Sequence, residues 1–149
     1  RTVVRRADTK VFAESASTAF TIPSLSPVAY NTSTGKWGVW ANAGTNGMNK
    51  IQGFASLKAD ISILASGGGD VIGEVIVRGE VHYNDIVLPA GETAANLKAA
   101  LRVTGADNLR QKGLDITAQC VSALTHPAEE VARQFAVANY PLPDALMPR

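Results

Sequence analysis

At 149 residues and 15.6 kDa the chain has room for one buried core and little beyond it. Apolar residues make up 46 %, but 23 of them are alanine, so the large side chains suffice for one modest fold. Fourteen Lys and Arg against 13 Asp and Glu leave a net charge of +1, which excludes a global field drawing in nucleic acid or an anionic membrane. The longest charge-free apolar runs fall far short of the roughly 20 residues of a spanning helix, so a soluble chain is expected. The single Cys120 excludes an internal disulfide, and two His with one Cys cannot complete a structural zinc site without carboxylates.

In chain order, residues 1–22 read as an extended arm. Val3, Val4, Val11, Phe12 and Phe20 are β-prone and Arg1, Arg5, Arg6 and Lys10 are basic, but residues 13–19 are small and polar with neither helical nor strand periodicity. Such a segment is expected to need a partner surface to become ordered. Pro23 and Pro27 hold the backbone extended at the start of the main domain, residues 23–118.

Residues 28–30 are a strand candidate, and Asn31-Thr-Ser-Thr-Gly35 is a turn by composition. Residues 36–41 alternate Trp37, Val39 and Ala41 against Lys36, Gly38 and Trp40, a period-2 strand in which Trp37 is expected to anchor the core and Trp40 to cover its rim. Residues 42–49, with Gly44, Gly47 and three Asn, form a loop, and residues 51–57 a strand whose Gly53 predicts a bulge or a close backbone approach. Residues 60–65 and 71–83 flank Ser66-Gly-Gly-Gly-Asp70 as the arms of an expected hairpin. The longer arm sets Val75, Val77, Gly79, Val81 and Tyr83 against Glu74, Ile76, Arg78, Glu80 and His82, one dry face and one mostly wet.

Beyond Pro89-Ala-Gly91 the period changes. Ala94, Leu97 and Leu101 recur at helical spacing and predict a helix over residues 92–102, with Gly105 as its stop. Residues 114–124 return to strand character, Pro127 opens a second helix candidate, and the proline-rich run after Tyr140 predicts an extended tail, so that residues 119–149 form a C-terminal extension. The whole is a mainly-β chain of short strands with one or two short helices.

No catalytic constellation emerges. Gly67-Gly68-Gly69-Asp70 lacks the Lys-Ser/Thr and following helix of a phosphate loop, so a turn is the better reading. Cys120 with His82 or His126 has no electropositive setting for a thiolate, and Asp60, Asp70, Asp85 and Asp115 each stand at a turn or strand end like caps. Neither a metal nor a cofactor is expected, and the chain does not read as an enzyme. One of Trp37 and Trp40 is a candidate contact with a partner subunit.

Asn31-Thr-Ser-Thr-Gly-Lys-Trp37 with Trp40, then Ile51-Gln-Gly53-Phe54-Ala55, then Val81-His-Tyr83-Asn84-Asp85-Ile86-Val-Leu-Pro89 leading into the helix, and finally Leu114-Asp-Ile116, occur in one order. That ordered set, from Pro23 to Ala118, resembles the head decoration proteins of tailed bacteriophages, the family of phage lambda protein D. The resemblance implies a β-clip-like domain that forms homotrimers on the local threefold axes of an expanded capsid, on its outer surface, after synthesis in the host cytoplasm. It implies that the N-terminal arm adds a strand to the major capsid protein, which makes Val3, Val4, Arg5, Arg6, Val11, Phe12 and Phe20 the expected capsid-binding residues. Strand addition suits an extended, β-prone segment, and three arms on one trimer would engage cooperatively. Trp40, Tyr83, Tyr140 and Leu142 are the expected subunit-interface residues, and the extension, with Leu146 and Met147, is expected to reach a neighbouring subunit. Direct nucleic-acid or membrane binding is not expected. The alternative is a glycan- or host-surface-binding β module of a phage particle that uses Trp37, Trp40 and Tyr83 as stacking platforms; the third is an enzyme on a β-clip scaffold, whose carboxylate and phosphate-binding motifs are not visible.

Overall fold

Eight strands and one α-helix occupy residues 2–102 and 109–117, the part of the chain that the computed structural model describes. They are β1 (Val3–Phe12), β2 (Phe20–Ile22), β3 (Pro27–Asn31), β4 (Lys36–Val39), β5 (Gly53–Ala55), β6 (Ile61–Ile63), β7 (Val71–His82), α1 (Ala94–Leu101) and β8 (Leu114–Thr117). The protein is mainly β with a short helix. The chain divides into two compact units, Arg1–Thr117 and Ala118–Arg149; the second, with Cys120, His126, the Pro127 helix candidate and the tail, lies outside the described residues. No helix among the described residues is long and apolar enough to cross a membrane.

The main sheet runs β1-β4-β3-β5-β7-β8, and β1 also pairs with β7, so the first five strands close on themselves. Closure on the β4 side rests on one registered pair, Phe12 opposite Trp37, whereas β1 and β7 are antiparallel from Val3 opposite Glu80 to Phe12 opposite Val71. This corrects the reading of residues 1–22 as an uncommitted arm. Val3–Phe12 is a ten-residue strand of the sheet, and Phe12 is 0 % exposed. The apolar residues were too few to show it because only Phe12 of that strand is buried, and the backbone ladder to β7 supplies the rest.

The expected hairpin between β6 and β7 does not form. β6 pairs instead with β2, Phe20 opposite Ile63 and Ile22 opposite Ile61. β7 is laddered to β1 from Val71 to Glu80 on one edge and to β5 and β8 over residues 75–76 and 79–82 on the other, while β6 takes its ladder from β2. Gly73 lets β6 lie against β7, since a Cβ there would stand 2.7 Å from Ile61 Cδ1.

Hydrophobic residues cover both sides of the sheet. Ala29, Trp40, Phe54, Ile76, Val81 and Leu114 join Leu97 of α1 in one cluster, while Phe12, Val28, Ala55 and Val75 join Ile22, Ile61 and Ile63 of the β2–β6 ribbon in a second. Neighbours such as Val75 and Ile76 therefore serve opposite cores, and Ile76, expected on the wet face, is fully buried. The strict alternation expected along β7 also breaks. Arg5 is an extra residue in β1 and Val77 in β7, so Ile76 and Val81, five positions apart, enter the same cluster. Gly79, at φ +142°, lies at this irregularity, where a Cβ would collide with the Val3 carbonyl.

The tryptophans occupy opposite faces as the alternation predicts, with their depths reversed. Trp40 is 0 % exposed in the first cluster and donates its indole N–H to the Asn49 carbonyl at 3.0 Å; the 41–49 loop closes over it through Ala41 N–H on the Met48 carbonyl. Trp37 is only half-buried beside the second cluster. Gly53 meets its expectation of a close approach, since a Cβ there would stand 2.6 Å from Val75 Cγ1 and 2.8 Å from the Ile76 carbonyl oxygen. The helix starts at a Thr93 cap whose Oγ1 accepts the Asn96 N–H at 3.2 Å, and it buries Leu97 as its period requires.

Candidate docking surface

A strand has two hydrogen-bonding edges, and β1 uses them unequally. Its inner edge is paired along β7, while its outer edge meets β4 only at Phe12, so among the described residues 3–11 have no sheet partner on that side. Alternate backbone N–H and C=O groups along such an edge point outward, a template for another extended chain. The side chains are correspondingly exposed at Val3, Val4, Arg5, Arg6, Thr9 and Val11. Arg5 reaches Glu80 at 3.5 Å, Arg6 Nε lies 2.9 Å from Asp8 Oδ1, and Lys10 Nζ lies 3.9 Å from Asp8 Oδ2 and 5.3 Å over the Trp37 ring. Exposed pairs of this kind contribute about 0–1 kcal/mol each, so they add little to the hold of β1 on the sheet.

Both ends of this strand are fastened. Thr2 Oγ1 donates to Asp85 Oδ2 at 2.9 Å and accepts the His82 N–H at 3.0 Å. At the other end Phe12 enters the second core, and Glu14 accepts the N–H groups of Gly67 and Gly69 at 3.0 and 2.7 Å. Those two bonds, Gly67 first, hold the Glu14 carboxyl below the usual range for its type. Asp70 in turn accepts the Glu14 N–H at 3.1 Å and pairs with Lys36 at 2.7 Å; the Lys36 ammonium is the larger influence lowering its carboxyl, and Asp70 raises Lys36.

Of the residues expected on the capsid-facing arm, β1 brings together Val3, Val4, Arg5, Arg6 and Val11. Phe12 is corrected to the core behind them, and Phe20, 46 % exposed, stands on β2 in the other sheet. Of the expected interface residues, Trp40 is corrected to the fully buried core. Tyr83 is half-buried against the first cluster at the head of the short 3-10 turn Tyr83–Asp85, and Tyr140 and Leu142 lie outside the described residues. The aromatics do not assemble into a stacking platform: Trp40 is inaccessible, and Trp37 is covered by Lys10 and meets Tyr30 edge-on at 5.7 Å.

Two contributors escaped the sequence reading. Ile72, directly across from Val11 on the paired side of β1, is 72 % exposed and with Val11 forms an exposed aliphatic cross-strand pair. Its position two residues before Glu74 on the wet face was the available signal. Glu14 had none, since its partners lie more than 50 residues away. Beside this strand, an open groove of about 500 Å³ is lined by Thr9, Lys58, Asp60, Ile61, Ile72 and Glu74. Its two carboxylates already serve Ser24 and Ser56. Among the described residues no three His, Cys, Asp or Glu converge as a metal-holding group. No protein-family model and no curated protein matches the chain.

Proposed function

We propose that the protein is a non-enzymatic capsid decoration protein, a cement that sits as trimers at the local threefold axes on the outer surface of an expanded phage head and holds the shell against the pressure of its DNA. The observation that carries this reading is the bare outer edge of β1 over residues 3–11, a strand already extended, charged and exposed at the front of the chain. A strand of the major capsid protein laid on that edge would gain a ladder of main-chain hydrogen bonds without unfolding anything. This changes the expected mode: the partner strand extends a sheet that this protein has already built, instead of ordering a loose arm. The ordered resemblance over the strands and helix supports the same reading. A single ladder of this length is weak, and three on one trimer act together because the first contact raises the effective concentration of the others.

The test is a pair of proline substitutions in the regular part of β1, Asp8→Pro and Thr9→Pro. Consecutive residues send their N–H groups to opposite edges, so one substitution breaks the β7 ladder and the other removes a donor only from the bare edge. Sedimentation with purified expanded and unexpanded shells reads binding, and sedimentation equilibrium reads the trimer, at three times the 15.6 kDa chain mass. The expected result is saturable binding to expanded shells that is lost in the bare-edge variant while its stability is kept. A monomeric protein, or a bare-edge variant that binds like the parent, overturns the reading.

A further inference from the structure

The 66–70 loop holds Gly67 at φ +88° and Gly69 at φ +94°, left-handed backbone that other residues adopt only with strain. Its alternate N–H groups converge on one point, as they do in backbone nests that bind anions. That point is filled by Glu14, with Oε2 on Gly67 and Oε1 on Gly69. The fit is that of a carboxylate: two donors, two oxygens, and the nearby Lys36 ammonium committed to Asp70. Asp70 closes the arrangement from the other side by accepting the Glu14 N–H, and two main-chain bonds flank it, Ser15 N–H to the Leu64 carbonyl at 2.8 Å and Ser66 N–H to the Ser17 carbonyl at 3.1 Å.

The location gives this site its consequence. Glu14 stands two residues beyond Phe12, where β1 leaves the sheet, and residues 13–19 bury none of their own side chains. Phe12 and Glu14 are therefore the root of the strand, and the exposed stretch ahead of them is held by its β7 ladder, surface ion pairs and the Thr2 clasp.

We propose that the 66–70 loop is a carboxylate-binding cradle whose resident ligand, the Glu14 side chain, latches the root of β1, so that emptying the cradle loosens residues 3–11 from β7. The charged groups facing Glu14 are Asp70 on the loop and Lys36 on β4. The inference does not rest on shell binding and is tested on the free protein.

The experiment is hydrogen exchange, resolved by residue, on the full-length parent, Glu14→Ala and Glu14→Gln at neutral pH, with sodium acetate against sodium chloride at equal ionic strength. In Glu14→Ala the amides of Gly67, Gly69 and those of β1 that donate to β7 should exchange at least tenfold faster while those around Trp40 and Phe54 keep their protection. Acetate should restore both sets, and chloride should not. Glu14→Gln, with one carbonyl oxygen for two donors, should fall between parent and Glu14→Ala. Unchanged β1 exchange in Glu14→Ala refutes the latch, as does acceleration spread evenly through β3, β4 and β5. Acetate acting no better than chloride refutes the cradle.

Discussion

Phe12→Ala asks directly whether the front of the chain is a loose arm or part of the core. Phe12 is 0 % exposed and packs with Ile22, Val28, Ala55, Ile61, Ile63 and Val75, contributed by five other strands. Removing its ring forfeits the transfer free energy of the side chain and leaves a cavity that the closed sheet cannot collapse around, about 3–5 kcal/mol. Against the roughly 5–15 kcal/mol by which domains are usually stable, that is a large share. For a folded unit of this length the midpoint should fall by roughly 10–25 °C. Val11→Ala, one residue earlier and 44 % exposed, removes a side chain that already meets water and should cost about 1 kcal/mol or less. Phe12→Leu, which keeps most of the volume, should cost distinctly less than alanine. Thermal and urea unfolding followed by far-ultraviolet circular dichroism measure all three. If Phe12→Ala and Val11→Ala lie within about 1 kcal/mol of each other, the strand is not seated on the ring and the assignment of β1 to the core is wrong.

Trp40→Phe should destabilise by about 2–4 kcal/mol, since it opens a cavity and removes the indole donor from the Asn49 carbonyl, whereas Trp37→Phe at the half-buried rim should cost about 1 kcal/mol; urea midpoints compare them. Gly53→Ala should cost about 1–3 kcal/mol because its methyl must displace both the Val75 side chain and the Ile76 carbonyl, and an alanine variant as stable as the parent would contradict that contact. Stability should fall on acidification: Glu14 and Asp70 have folded pKa values below their ordinary ones, so their contribution is complete above the ordinary carboxylate range and is lost as pH drops through the lowered values. Lys36 is raised, so its contribution is complete below its ordinary value and disappears as pH climbs through the raised one. Urea midpoints against pH should therefore show a weaker acid limb in Glu14→Gln and a weaker alkaline limb in Lys36→Met.

Local physics made much of the fold legible. The Asn31-to-Gly35 turn, the alternating β4 and the helical period at Ala94, Leu97 and Leu101 rest on interactions within a few residues, and each appears close to its expected place. The aspartates expected as local caps act instead across the chain, Asp60 accepting the Ser24 N–H and Oγ–H and Asp85 the Thr2 hydroxyl, partners that no local pattern signals. The candidate surface was half legible. Val3, Val4, Arg5, Arg6 and Val11 are exposed on one strand, but the edge they offer exists only because β7 holds the other side.

What the sequence determined by itself was the class of the fold, its turns and its helix, because these follow from side-chain period and backbone preference over short spans. Only the tertiary structure decided partners and depth. Whether β1 was an arm or a wall of the sheet depended on its ladder with β7, far along the chain, and β6 left its expected hairpin for a pairing with β2, likewise distant in sequence. Trp40 rather than Trp37 became the core because the 41–49 loop and α1 close over one face only. The glycine-rich loop, whose composition predicted no more than a turn, was given its ligand by Glu14, because the fold brings that carboxylate, more than 50 residues away in sequence, onto the N–H groups of Gly67 and Gly69.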